Sequence, residues 1–204
     1  MREFIYYSRH APTTGNFGKD LMKAGRLDIA MHVVIAAFFL SHKLREDTKL
    51  HLIFAGQPDP PKHIEIFPVT EGKTDIDKIY LSKKDIAGLI KRMLYKYKPE
   101  KKSEVFPGYW IEKKGFLDVV KELKKQGKDI FILDKKGQDI REVEIGEDAV
   151  FVLGDHDGIP GKELKRLKKS CTPVSIGKKT YFASHTVAIV HNELDRREEV
   201  SRVV

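Results

Sequence analysis

Asp155, His156 and Asp157 stand between two glycines, Gly154 and Gly158, directly after the apolar run Val150-Phe151-Val152-Leu153. A carboxylate or an imidazole so placed can take a proton from a bound molecule, and glycine lets backbone N–H and C=O groups approach it closely. A second stop of the same kind comes at Ser175-Ile176-Gly177, continued by Lys178-Lys179-Thr180-Tyr181-Phe182-Ala183. A third follows Leu133, at Asp134-Lys135-Lys136-Gly137. Parallel strands deliver such loops to one sheet edge, and in open α/β sheets that edge binds ligands. Tight turns use glycine in the same way, so on placement alone Gly154 and Gly177 are turn residues first. Two phosphate loops are excluded. Gly158 is followed too soon by Gly161-Lys162, with Glu163 where the P-loop needs a hydroxyl, and no G-x-G-x-x-G occurs.

Three adjacent residues rarely face one point, and no second His/Cys/Asp cluster has ligand spacing, so no metal is expected. Cys171 is the only cysteine, which excludes an intrachain disulfide, and nothing around it marks a nucleophile. The first residues form no secretory signal, and Ile29 to Leu40 is too short to span a bilayer. These features predict a cytoplasmic protein. The formal net charge of +8 favours a polyanion as partner. Arg9, Lys19, Lys23 and Arg26 lie along a loop poor in apolar residues, around Thr13-Thr14-Gly15, and read as phosphate-facing. Lys162 to Lys169 forms a second basic cluster, which also suits the wet face of a short helix. His185 and His191 read as packed or interfacial rather than catalytic.

The elements that must position these groups follow from periodicity. Strands are predicted at Phe4–Ser8, Leu50–Phe54, Ile64–Val69, Asp129–Leu133, Val150–Leu153 and Thr172–Ile176. Asp28 starts a helix from Ile29 to Leu44 that is apolar almost all round, which suits a core or an interface. A turn is expected near Glu71-Gly72-Lys73, and Ser82 with Asp85 caps a helix striped by Ile86, Leu89, Ile90, Met93 and Leu94. Pro99 to Lys102 reads as a linker, and Val105 to Trp110 concentrates the aromatics. Phe116, Val119, Val120 and Leu123 share one face of a helix from Phe116 to Gln126. A closing helix runs from Thr186 to Leu194 and frays beyond Asp195. Such alternation means α/β, a mostly parallel sheet flanked by helices in one domain over residues 1–204.

Phe151 to Pro160, Ser175-Ile176-Gly177 and Ala183-Ser184-His185 resemble the C-terminal part of the SPOUT methyltransferases. With Arg9 to Gly15 and Ala36 to His42 added, the likeness is closest to the archaeal tRNA pseudouridine-54 N1-methyltransferases, the TrmY group, and covers nearly the whole chain. The resemblance implies an N-terminal α/β part at about 1–110 and a part at about 111–204 tied in a trefoil knot around S-adenosylmethionine. It implies cofactor contacts from Leu133, Gly154, Asp155, Ser175, Ile176, Gly177, Lys178, Tyr181, Phe182 and Ala183. Asp155 or His156 would manage the proton with Arg26, while Arg9, Lys19, Lys23 and Arg26 would hold RNA. It also implies a homodimer, and methylation of N1 of pseudouridine in tRNA. Methylation of ribosomal RNA pseudouridine, and RNA binding without catalysis, are the alternatives.

Overall fold

In the computed structural model, residues 1–67, 69–70, 73–74 and 83–201 are described, and side chains are described for 1–67 and 84–198. The described residues form ten strands and five helices in the order β1 (Arg2–Ser8), α1 (Leu27–Phe38), β2 (Thr48–Phe54), β3 (Lys62–Ile66), β4 (Val69–Thr70), β5 (Lys73–Thr74), α2 (Lys83–Tyr95), β6 (Ser103–Phe106), β7 (Tyr109–Glu112), α3 (Phe116–Lys125), β8 (Asp129–Asp139), β9 (Ala149–Gly154), α4 (Gly161–Leu167), β10 (Thr172–Ser175) and α5 (Ala183–Ser201). Eight strands make one sheet in the order β10-β8-β9-β1-β2-β3-β7-β6, and β4 and β5 pair separately. The strands from β10 to β2 are mutually parallel, while β3, β7 and β6 extend the sheet antiparallel.

The parallel strands are buried on both faces, as their unbroken apolar runs require. Phe4, Tyr6, Leu50, Leu52 and Phe151 face a core shared with α1, α2 and α5. Ile5, Ile53, Val150 and Val152 face the other side, against α3 and α4. The Phe4, Phe151 and Phe131 rings form a row across β1, β9 and β8, with centroids 5.7 and 5.5 Å apart. Burying each such ring stabilises the fold by roughly 1.5–3 kcal/mol.

Several boundaries differ from expectation for visible reasons. The first helix stops at Phe38, because Leu40 and Lys43 close a polar turn and Phe39 then pairs with Leu44. The aromatic stretch is a hairpin, β6 and β7, turned at Gly108 with φ 78°. β3 ends at Ile66 rather than Val69. β8 continues past Leu133 to Asp139: its register to β10 jumps from Ile132↔Pro173 to Gln138↔Val174, so residues 133–137 bulge out of the ladder. The last helix does not fray at Asp195, whose carboxylate is clamped by Arg2 and by both terminal nitrogens of Arg45 at 2.9 and 2.6 Å. The expected Ser82 cap, and the turn at Glu71-Gly72, lie outside the described residues.

Candidate cofactor and substrate site

All five parallel strands end at one edge, where β9 lies beside β1. The N–H of Asp155 donates to the Tyr7 carbonyl at 2.9 Å, extending the ladder one residue beyond Gly154. The Asp155 side chain has no exposure. One of its oxygens accepts from Ser8 Oγ at 3.0 Å and from the Arg9 N–H at 2.9 Å, and the other accepts from the Asp157 N–H at 2.9 Å. This is the geometry of a brace. Beside it, Asp157 lies between two exposed imidazoles, His10 at 3.1 Å and His156 at 3.6 Å. Gly154 is a glycine for a local reason. A Cβ there would sit 2.5 Å from the carbonyl carbon of Gly158, so the turn closes against it.

β8, β9 and β10 are neighbours, so the ends near Leu133, Gly154 and Ser175 are brought side by side as expected. Leu133 packs against the core, and its loop is held by an ion pair between Asp134 and Lys168. Ser175 Oγ accepts the Gly177 N–H at 3.1 Å and donates to the Gly177 carbonyl at 3.1 Å. Gly177 has φ 128° and open space where a side chain would stand, and Gly158, at φ 72°, has the same. Backbone groups at both positions can therefore lie against a planar ligand. The loop beyond carries exposed Lys178, Tyr181 and Phe182, the last 73 % exposed and edge-on to His185. Ala183 is buried where α5 begins.

The long loop from Arg9 to Arg26 departs from the reading of Thr13-Thr14-Gly15 as phosphate-facing. Thr13 is buried: its hydroxyl donates to the Gly56 carbonyl at 3.0 Å and accepts from the Asp59 N–H at 2.9 Å. Gly15 is pressed onto the Tyr95 ring. Gly25 and Arg26 are both left-handed, at φ 60°, and Gly25 lies so close to the His10 carbonyl that no side chain fits. Left-handed backbone is rare for arginine and concentrates at functional sites. Arg26 Nε and Nη2 each bind Asp28 at 3.0 Å, which raises the Arg26 pKa and lowers that of Asp28. Nη1 has no partner among the described residues. Lys19 and Lys23 are exposed, Lys23 lying 3.7 Å from Asp20.

Two groupings escaped the one-dimensional reading. Asp155, His156 and Asp157 do place ligand atoms within 4.8 Å of one another, as do His51, His63 and Glu65. In both cases existing partners engage the ligand atoms. His51 and His63 face each other at 2.9 Å, His51 reaches Glu3 at 3.1 Å, and His63 reaches Glu112 at 3.0 Å. Glu65 is held by Lys102 at 2.9 Å. Burial pushes His63 down to about 4 despite Glu112. Burial would raise Glu3, but His51 and Lys128 outweigh it and hold it at about 2. A cavity of about 690 Å³, bordered by Asp129, Phe131, Glu142 and Thr172, opens at the opposite ends of β8 and β10.

No helix among the described residues is long and apolar enough to cross a membrane. The chain is 36% identical to the tRNA (pseudouridine(54)-N(1))-methyltransferase of Pyrococcus abyssi, across 96% of this chain and 98% of that one. It is 35% identical to the protein of the same name from Methanococcus aeolicus, again across 96% and 98%. The crystal structure of Archaeoglobus fulgidus Nep1 bound to S-adenosylhomocysteine shares the fold, with a TM-score of 0.60 at 14% identity and 96% of each chain covered. Residues 1–199 match a family model described as "Putative SAM-dependent RNA methyltransferase". By that match, and by its kinship to these archaeal proteins over nearly its full length, the chain belongs to this family of RNA methyltransferases.

Proposed function

We propose that this protein transfers a methyl group from S-adenosylmethionine to N1 of pseudouridine 54 in tRNA, giving N1-methylpseudouridine. The observation that carries this reading is the shared edge of β1, β8, β9 and β10, with open backbone at Gly158 and Gly177 and a left-handed arginine, Arg26, in electrostatic reach of Asp155. Its chemistry comes from the family match and from the activity that the archaeal relatives' names state. The loops after Leu133, Gly154 and Ser175 hold the cofactor, with Ile176, Gly177 and Tyr181 against its flat ring and Lys178, Phe182 and Ala183 around them. Bound there, S-adenosylmethionine supplies a methyl group already activated on a sulfonium, so the protein has to align the acceptor and manage one proton.

Pseudouridine is joined to its sugar through carbon, so its N1 carries a hydrogen that must leave. We assign the acceptance of that proton to His156, which is 39 % exposed and oriented by Asp157. Asp155, with no exposed side-chain surface and three donors on its carboxylate, keeps the turn in place. Arg26 offers its free Nη1 to the charge that develops on the ring, and its clamp to Asp28 removes the need to order it during reaction. Arg9, Lys19 and Lys23 extend the positive surface for RNA.

Two structural readings accompany this one. We read the C-terminal part as a trefoil knot, a path supported by the pairing of β10 on both sides of the bulge at 133–137 and by the close approach of Gly137 to the Pro173 backbone. The protein acts as a homodimer whose partner covers Tyr181 and Phe182, because a ring 73 % exposed beside a cofactor loop is apolar surface left for burial. Mass spectrometry of tRNA incubated with methyl-labelled S-adenosylmethionine tests the function. Label is expected on N1 of pseudouridine 54, and none on tRNA carrying uridine there. Label on another base, or on ribosomal RNA alone, would overturn the assignment.

A further inference from the structure

Helix α4 follows the Gly154–Gly158 turn and runs back across the sheet. Leu164 and Leu167 face the core, and Lys162, Lys165, Arg166 and Lys169 are exposed. At about 100° per residue these four fall within a band about 100° wide on the outer face. Beyond Leu167 a tight turn carries the path on, with Lys168 bonding back to Leu164 and Lys169 to Arg166, so Lys169 follows the other three. None of the four side chains has a hydrogen-bond or ion-pair partner among the described residues. Together they border a shallow depression of about 210 Å³.

Local energetics do not explain this arrangement. Like charges at i,i+4 spacing destabilise a helix. Cations at the C-terminal end suit the helix dipole, but Lys162 stands in the first turn, where the dipole opposes it. The neighbouring Lys168 behaves differently, since it is neutralised by Asp134 on the bulge of β8. That pair also fixes α4 against the loop that follows Leu133. Four unpaired cations are therefore held in one rigid row beside the candidate cofactor edge, which is the form a phosphate-binding surface takes.

We propose that this face of α4 docks the sugar–phosphate backbone of tRNA, away from the modified base. The proposal rests on the function proposed above and adds a surface to it. The row is about 10 Å long, enough to meet more than one phosphate of a strand. Such contacts position the RNA and carry no sequence information, so they should act on affinity and on its salt dependence.

The test replaces Lys162, Lys165, Arg166 and Lys169 by Gln together and measures tRNA binding by anisotropy over a salt series. Each lost phosphate contact lowers the slope of log K against log salt by about 0.7–0.9. The expected result is a slope lower by about 2 or more, tRNA binding weaker by at least on the order of tenfold near physiological salt, and a raised KM for tRNA. Affinity for S-adenosylhomocysteine, read by calorimetry, stays that of the parent. A control with Lys121→Gln and Lys125→Gln on α3 removes charge without touching the row and should keep the parent slope. Unchanged slope and tRNA affinity in the fourfold variant, with a parent that binds and methylates tRNA, would overturn this docking surface alone. A parent that binds no tRNA would overturn both readings. Loss of binding to anionic phospholipid vesicles, with tRNA affinity kept, would mark the row as a membrane surface and overturn the proposal.

Discussion

The Asp155 carboxylate accepts the backbone N–H of Arg9 at 2.9 Å, so the turn leaving β9 and the loop leaving β1 share one fixed point. Ser8 and Asp157 converge on the same group. Asp155→Asn would set an amide N–H against at least one of these donors. A buried polar group left unsatisfied costs roughly 1–3 kcal/mol. The melting temperature should then fall by about 2–4 °C for each kcal/mol lost. Thermal melts read beside turnover decide the role: an unchanged melt with abolished turnover would return Asp155 to the position of base.

His156→Gln is expected to melt like the parent, because the side chain is exposed and its approach to Asp157, at 3.6 Å, is too long for a hydrogen bond. If it accepts the N1 proton, kcat should fall by roughly 10²–10⁴, the usual range for a general base, with KM for tRNA kept. Steady-state kinetics at saturating cofactor check this.

Arg26 combines backbone strain with a side-chain clamp. Arg26→Gly relieves the left-handed conformation, worth about 1 kcal/mol, whereas Arg26→Ala keeps it. The glycine variant should therefore melt higher than the alanine variant, although neither methylates tRNA efficiently. Arg26→Lys should not restore activity, since an ammonium bears its three donors on one nitrogen and lacks the planar fork that grips both Asp28 oxygens while aiming another N–H at the ring. Denaturant titration and single-turnover rates separate these effects.

Acid should unfold the protein in two stages. Burial holds His63 at about 4, below its ordinary 6.5, so the unfolded chain takes the proton first as pH falls through that interval. Stability contributed by the neutral ring is present above about 6.5 and declines toward 4. Glu3 and Glu112, both held at about 2 against an ordinary 4.5, add a further loss as pH falls from about 4.5 toward 2. For Glu112, as for Glu3, burial acts upward and is outweighed, here by His63 and Lys114. Urea unfolding from pH 7.5 to 3 should show both slopes, and His63→Gln should flatten the upper one.

Phe182 tests assembly. Phe182→Ser exposes no core atom, so the monomer should fold, but sedimentation should shift from dimer toward monomer with a parallel loss of cofactor affinity. A parent that sediments as monomer at micromolar concentration with full activity would remove the dimer from the account.

The parts legible in the chain were those written in local pattern. Val150 to Leu153 announced a strand buried on both faces, and the stripe from Phe116 to Leu123 announced α3. The three strand ends were legible because each apolar run stops at a polar loop. His51 and His63 were not, since their meeting depends on the cross-strand register of β2 with β3, which pairs His51 with Glu65 and Ile53 with His63. Thr13 was misread because a hydroxyl among basic residues looks the same whether it faces solvent or closes a buried turn. Left-handed Arg26 was invisible for another reason: no side-chain pattern marks a conformation that packing imposes. The trefoil path proposed above is likewise a matter of threading order, on which hydrophobic period is silent.

The clamp between Arg2 and Asp195 joins residues 193 positions apart along the chain. While the ribosome is still at work, β1 and α1 exist without the helix that covers them, and Phe4, Val33 and Val34 have no lid. The native arrangement thus becomes available only once α5 has been made, and until then the growing chain carries its central apolar face uncovered. Products released early would share this defect permanently, which makes them natural clients of chaperones and proteases.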